Sequence, residues 1–583
     1  MCATFVDEWA RAGITDAVVC PGSRSTPMAL ALAADPRIRV HIHHDERSGA
    51  FLALGLALGS GQPAVVLTTS GTAAVELHPA VVEAHHSAVP LLVLTADRPP
   101  ELHGVGAPQT IDQQGLFTTS TRAFIDVGVP ERSTSPSWRR LAARAAATAR
   151  GDRAGPPGPG PVHLNVAFRE PLIGRSGPLP GVDEAIPPTP VATTDLLDRD
   201  RVHAAVVRDM AERCAPRRGV IVAGAGCVSP EAVHHLAEVL GWPVLAEPRS
   251  GARIPAPATV AHFDSILRDA SLAESLAPEV VLRLGELPAS KVLLGWLAGL
   301  DAWQVGVDAA GRLFDPDGVL DQHLAIDPAW LCNELADVLG AGVVVADPLT
   351  PLGPDAPDGP HAVVSWRDRW VDADRKVAVH LDEVLRVHVE PTEPAVARAV
   401  LAAMPDGSTL VASSSMPVRD LEWFGANRTG VRVVANRGAN GIDGVTSTAL
   451  GVALGSGAPT ALLIGDVAFL HDVNGLLGAG GRGADLCIVV VDNDGGGIFS
   501  FLPPATALDV DTFERLFGTP HGVELLAVAG AYGVPAERVS HAGDVGPAVQ
   551  AALVAGGVRV VTIRTNRHTN PTLHATLHAA FAD

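Results

Sequence analysis

The sequence predicts an α/β protein built from three doubly wound parallel-sheet domains. Three observations predict it: apolar strand-like runs alternate with Ala-rich helical stretches, Pro/Gly-rich sequence breaks the chain twice, and one segment near the start recurs near the end. At 583 residues the chain has length for several cores. With 47% apolar residues, 59 Gly and 47 Pro it is globular in composition, and aromatics at 4% point to Ala/Val/Leu cores.

The runs AVVLTTS (64–70), LLVLTAD (91–97), GVIVAGAG (219–226), ALLIGD (461–466) and CIVVVDN (487–493) are nearly continuously apolar. Strands covered on both faces, as in βαβ units, read this way. GPPGPGP (155–161) precedes the strand VHLNVAF, and Pro-rich sequence then runs to about 195, which sets a first boundary. DPLTPLGPDAPDGP (347–360) closes the middle segment. The expected domains are 1–175, 195–350 and 385–583. ALGLALGSGQPAVVL (53–67) and ALGVALGSGAPTALL (449–463) agree at 10 of 15 positions, so the first and third domains are expected to be copies of one unit. The polar turns after the aligned strands, TSGTA (69–73) and GDVA (465–468), then mark the ligand ends of the two sheets.

A net charge of −21 argues against nucleic-acid partners and anionic membrane surfaces. Only Lys291 and Lys376 are lysines, so anionic ligands must be met by arginine clusters. Six cysteines without a C-x-x-C pair read as reduced and structural, and MCATFVDEWARAG lacks a signal-peptide plan, so the expected location is cytoplasmic. The uncharged stretch Ser48 to Val75 is cut by GSGQP (59–63) into a helix and a strand, each short of the ~20 residues of a membrane span. His41, His43 and His44 alternate faces of a strand and carry no metal-ligand spacing. GAG (224–226) is a partial dinucleotide fingerprint in which Ser229 stands where a third Gly belongs, so nucleotide binding is not expected of the middle domain.

Gly465-Asp466 ends one strand, and 27 residues later Asn493 ends the next, within VVVDNDGGGIF (489–499). Asp466, the Asn493 amide oxygen, a carbonyl near Gly495 and a diphosphate form the oxygen set that Mg²⁺ prefers, and glycines 495–497 permit close approach. This pattern resembles the thiamine-diphosphate-binding motif, with Val467 in place of its second Gly. The resemblance implies a thiamine-diphosphate-binding fold with a pyrimidine-binding first domain, a structural middle domain, and a third domain holding diphosphate and Mg²⁺ or Mn²⁺. In HIHHDERSGAFLALGLA (41–57), Glu46 follows a strand and opens a helix. The resemblance makes it the acid that bonds the aminopyrimidine, a task to which a buried carboxylate is suited.

Whole segments narrow the resemblance. CPGSRSTP (20–27), TADRPPEL (95–102), GPVHLNVAFREPL (160–172), NRGANGIDG (436–444) and FERLFGTPHG (513–522) are similar to the 2-succinyl-5-enolpyruvyl-6-hydroxy-3-cyclohexene-1-carboxylate synthase family of menaquinone biosynthesis. That resemblance implies decarboxylation of 2-oxoglutarate on the cofactor and conjugate addition of a succinyl carbanion equivalent to isochorismate. The alternative is another thiamine-diphosphate-dependent 2-oxo acid decarboxylase or carboligase. Both substrates are dicarboxylates, which the planar arginine fork suits. By resemblance Ser23, Arg24, Arg98 and Lys291 face isochorismate, Ser415, Arg419 and Arg437 hold 2-oxoglutarate or the adduct, and Gln109 lies near the reacting carbon. Ile442 is similar to the apolar wedge that bends the cofactor, and Phe499 is counted with the cofactor-binding residues. Val292, Glu76 and Asp494 depart from the family pattern. A homodimer or homotetramer is implied, its sites shared between Glu46 of one chain and Asp466, Asn493 and Arg437 of the other.

Overall fold

Eighteen strands form three six-stranded sheets in which every neighbouring pair is parallel, in a computed structural model that describes residues 1–152, 158–174, 176–181, 193–215, 217–227, 229–340 and 365–582. The predicted fold class therefore stands. The Pro/Gly run 155–161 lies partly, and the run 347–360 wholly, outside the described residues, as do the expected limits 175 and 350.

The first sheet holds β1 (Asp16–Val19), β2 (Arg39–Ile42), β3 (Ala64–Thr68), β4 (Leu91–Asp97), β5 (Ala123–Gly128) and β6 (Pro161–Ala167), in the order β2-β1-β3-β4-β6-β5. The middle sheet holds β7 (Gly219–Ala223), β8 (Val244–Ala246), β9 (Thr259–Val260), β10 (Val280–Leu284), β11 (Trp303–Val307) and β12 (Gln322–Leu324), in the order β12-β11-β10-β7-β8-β9. The third holds β13 (Ser408–Ala412), β14 (Val431–Val434), β15 (Thr460–Gly465), β16 (Leu486–Asp492), β17 (Ala536–Val539) and β18 (Val558–Arg564), in the order β14-β13-β15-β16-β18-β17. First and third sheets share one topology, as duplication requires.

The repeated segment has a packing reason. Its two copies form the helices Glu46–Ser60 and Val445–Ser456, which lie against each other. A Cβ on Gly55 would stand 2.0 Å from the Thr448 carbonyl oxygen, and one on Gly451 2.2 Å from that of Leu52. The helices approach backbone to backbone, which only glycine permits. Around them, alternate residues of each strand sort to opposite faces. Val66, Val93, Leu462, Ile464, Ile488 and Val490 enter one core shared by the first and third domains, while Val65, Leu67, Leu92 and Leu94, or Leu463 and Val489, face separate outer cores.

The middle sheet has the strand order of dinucleotide-binding domains, with GAG just after its first strand. The chain fills that crevice itself. Ala225 N donates to the buried Glu247 (2.9 Å), and a Cβ on Gly224 would stand 1.6 Å from the Glu286 carbonyl. The helix Trp366–Arg386 packs Trp366, Trp370, Val377 and Leu381 onto the middle core before the chain enters the third sheet.

Candidate active site

Beyond the carboxyl ends of β13, β15 and β16 lies a cavity of about 350 Å³. Ser415, Arg419, Arg437, Ile442, Gly465, Asp466, Asn493, Gly495 and Phe499 all line it, so nine residues expected from sequence meet in one place. Asp466 opens the helix Asp466–His471, and its carboxylate accepts from Val467 N (2.7 Å), Asn493 N (3.0 Å) and Gly495 N (3.0 Å). Burial raises its pKa, and the bonds from Gly495 and Val467 pull the other way. Gly495 has φ +141°, and a Cβ there would stand 2.0 Å from the Gly518 carbonyl, so no other residue fits.

Asn493 decides what the cavity can hold. Its Nδ2 donates to Glu393 Oε1 (2.8 Å), which turns Oδ1 away, buried and without a partner. An orphaned buried acceptor beside a carboxylate fits a hard cation. The Gly495 carbonyl accepts from Gly497 N (2.9 Å) and keeps a second lone pair. His521 Nε2 stands 3.3 Å from Asp466 Oδ2, and Asp466, Asp492 and His521 can bring ligand atoms within 4.8 Å of one another. Asp492 is occupied by Arg564 (2.9 Å), which leaves Asp466, bonded only by backbone N–H groups, and the unpartnered Asn493 Oδ1 as the oxygen pair.

Arg419 is half-buried and gives a guanidinium bond to the Ser415 carbonyl. Burial lowers the pKa of Arg437, with Arg249 and Arg419 adding like-charge repulsion. Asp494, where the family pattern has Asn, uses Oδ1 to accept from His521 N (3.0 Å) and Gly522 N (2.8 Å), an acceptor role an Asn fills equally. Val467 still gives its N–H to Asp466 despite replacing glycine.

Of the remaining predicted residues, Ser23, Arg24, Glu46, Arg98 and Gln109 lie in the first domain and Lys291 in the middle one. Arg24, after β1, donates to the Phe168 carbonyl (2.9 Å), and its pKa is lowered by burial and by neighbouring Arg98. Arg98, after β4, reaches the Pro108 carbonyl (3.3 Å) and lies 3.5 Å from Gln109 Oε1. Ser23 is exposed in the same turn as Arg24. Glu46 opens its helix half-buried, behind the N-cap Asp45. None of these side chains lines the third-domain cavity. Lys291 is exposed at the start of the helix Lys291–Ala298, two residues after Ala289, whose N–H is held by Glu422 (2.7 Å) of the Arg419 helix.

Residues 3–116 match the family described as "Thiamine pyrophosphate enzyme, N-terminal TPP binding domain", 193–335 match "Middle domain of thiamine pyrophosphate", and 426–563 match "Thiamine pyrophosphate enzyme, C-terminal TPP binding domain". The chain is similar to the 2-succinyl-5-enolpyruvyl-6-hydroxy-3-cyclohexene-1-carboxylate synthases of Chloroflexus aurantiacus (41% identity, 99% of this chain, 95% of the relative) and Thermobifida fusca (41%, 99% and 98%). It belongs to this synthase family. It also resembles a solved benzoylformate decarboxylase from Polynucleobacter necessarius with a TM-score of 0.69 at 17% identity, covering 97% and 98% of the two chains, a likeness of fold.

Several buried polar residues of this synthase-family chain carry no sequence signal. Glu393 is lifted to about 7 by burial and then by Asp420, and bonds Asn493. Asp420 pairs with His574 (2.6 Å), both buried. His521 could have been found, since it closes the segment FERLFGTPHG that carries part of the resemblance. Among the described residues no helix is long and apolar enough to cross a membrane.

Proposed function

We propose that this chain catalyses thiamine-diphosphate-dependent decarboxylation of 2-oxoglutarate and conjugate addition of the remaining four-carbon unit to isochorismate, giving 2-succinyl-5-enolpyruvyl-6-hydroxy-3-cyclohexene-1-carboxylate. The observation that carries this reading is one cavity combining the oxygen pair Asp466 and Asn493 with the two guanidinium groups Arg419 and Arg437. When bound, thiamine diphosphate supplies the acidic thiazolium carbon and the electron sink. Asp466, the Asn493 amide oxygen and the Gly495 carbonyl hold Mg²⁺ or Mn²⁺, which neutralises the diphosphate. Ile442 and Phe499 give the cavity its apolar wall. Arg419, Arg437 and Ser415 grip the 2-oxoglutarate carboxylates, and the carboxylate-gripping arginines disfavour an apolar 2-oxo acid.

Glu46 is the carboxylate that bonds the aminopyrimidine and exchanges a proton with it. Ser23, Arg24, Arg98 and Lys291 receive isochorismate, and Gln109 steers the reacting carbon. These residues stand outside the third-domain cavity of their own chain, which supports a homodimer or homotetramer whose sites join the first domain of one chain to the third domain of another. Domain limits of 1–175, 195–350 and 385–583 go with this reading, since each sheet falls within one range. Free cysteines throughout favour a cytoplasmic location.

The test is to incubate the protein with 2-oxoglutarate, isochorismate, thiamine diphosphate and Mg²⁺ and to identify products by mass. Succinyl addition with loss of carbon dioxide is expected. Carbon dioxide release with no isochorismate adduct would transfer the chain to the simple decarboxylases.

A further inference from the structure

Arg437 differs from the other candidate arginines in how it is held. Arg24, Arg98 and Arg419 each anchor a guanidinium N–H on a backbone carbonyl. The Arg437 Nε is buried without a partner, and while Glu247 and Glu422 favour its charge, burial and the repulsion of Arg249 and Arg419 outweigh them. A guanidinium with no hydrogen-bonded protein anchor takes its direction from its backbone.

That fixing comes from the first domain. Glu83, in the helix His78–His86, is 3% exposed. Its Oε1 accepts from Gly438 N (2.8 Å) and its Oε2 from Ala439 N (2.7 Å), the two N–H groups that follow Arg437. Ser87 Oγ adds a third bond to Oε1 (2.7 Å). The turn is pressed on the helix end closely enough that a Cβ on Gly438 would stand 2.6 Å from Ser87 Oγ and 2.8 Å from the Glu83 carbonyl. Charge-assisted bonds to two consecutive N–H groups fix the peptide planes beyond Arg437, and with them the direction of its side chain.

We propose that Glu83 is a positioning residue for Arg437: it clamps the 437–439 turn so that the guanidinium faces the substrate carboxylate without a protein anchor of its own. The inference rests on the proposed role of Arg437 as a carboxylate grip. Gln at position 83 keeps one acceptor oxygen but turns an amide donor toward the second N–H.

The test uses the full chain with saturating thiamine diphosphate and Mg²⁺. Glu83→Gln should raise KM for 2-oxoglutarate about tenfold, with kcat within about threefold of the parent. Cofactor affinity, measured by direct titration, should not change. The rise in thermal midpoint that 2-oxoglutarate gives the parent should shrink. Arg437→Ala should raise the same KM at least as far, and the double variant should be no worse than Arg437→Ala alone, since both act through one contact. If Glu83→Gln does not fold, Glu83→Asp, which keeps the charge but withdraws it by one methylene, carries the same expectation. Parental KM with only a smaller active fraction would make Glu83 merely structural and overturn the proposal. An unchanged KM in Arg437→Ala would sink the reading of Arg437 itself, a different failure.

Discussion

Ser48 and Asp472 stand 424 positions apart and share a 2.7 Å hydrogen bond, the serine hydroxyl donating and neither residue exposed. Asp472 also accepts from Ser447 N (2.7 Å) and Ser447 Oγ (3.1 Å), so one carboxylate joins the N-terminal turns of the two repeated helices. Asn474, two residues on, donates to the N-cap Asp45 (2.8 Å) and accepts from Tyr532 (2.8 Å), the one tyrosine of the chain. Glu46 therefore projects from a helix end that the third domain of its own chain holds in place.

Removing that carboxylate should be costly. Asp472→Ala leaves three buried donors without an acceptor, and a loss of about 3 kcal/mol in unfolding free energy is expected from urea denaturation. Turnover should fall with it, because the Glu46 helix end is freed. Asp472→Asn, which keeps one acceptor, should lose less. A parental urea midpoint for Asp472→Ala would mean the junction does not depend on this residue.

The glycine crossing gives a contrast between two helix glycines. Gly451→Ala pushes a methyl against the Leu52 carbonyl, 2.2 Å from the new Cβ, and rigid backbone on both sides should make this cost at least about 2 kcal/mol. Gly295, on the exposed side of the helix Lys291–Ala298, has nothing within 4 Å of a new Cβ. Gly295→Ala should stabilise by about 0.5–1 kcal/mol through helix propensity. A thermal midpoint for Gly451→Ala at or above the parent's would contradict the close helix approach.

What the sequence made legible was whatever local pattern determines. LLVLTAD is strand β4 residue for residue, and Asp466 and Asn493 could be set at neighbouring strand ends because each follows a continuous apolar run. The repeat announced a duplication, though its glycines are explained only by a helix partner nearly four hundred residues away. Glu83, Glu393 and Asp472 were illegible for the same reason. A carboxylate becomes a clamp when folding brings N–H or O–H donors to it, and such donors sit 355, 100 and 424 positions along the chain. GAG shows the opposite error: its local signal is real, but the crevice it suggests is filled by Glu247 and Glu286.

His163 gives the fold a calculable dependence on pH. It is buried beside Phe117 (4.7 Å between ring centres) and Phe124 (5.0 Å), and burial alone pushes its imidazole down to about 3. The Thr95 hydroxyl donates to Asn165 Oδ1 (2.8 Å), so the imidazole Nε2 is the donor to Thr95 Oγ1. Below the usual value of 6.5 the unfolded chain takes a proton that the folded chain refuses until about pH 3. The stability is thus complete above 6.5 and declines as pH falls, by about 1.4 kcal/mol per pH unit for this one group. His163→Phe removes the titration and leaves Thr95 bonded, so unfolding free energies between pH 6.5 and 4.5 should fall less steeply by that slope. Equal slopes would show that His163 takes up its proton in the folded state.

The most demanding prediction concerns assembly. Glu46 and the cavity lined by Asp466 belong to different domains, and Glu46 does not line that cavity within one chain. If each site joins two chains, Glu46→Gln and Asp466→Ala should each be nearly inactive, the first by losing proton exchange with the cofactor, the second by losing an anionic oxygen for the cation. A mixed dimer would carry one site with both lesions and one with neither. Random pairing of equal amounts then gives half the dimers one intact site, about a quarter of parental activity per chain, from two inactive preparations. Subunit exchange is verified first by mass spectrometry of differently tagged chains, and product is measured afterwards. A mixture that exchanges fully yet stays as inactive as its parents would show that Glu46 and Asp466 serve one site within a single chain, reached by a domain movement rather than by a partner.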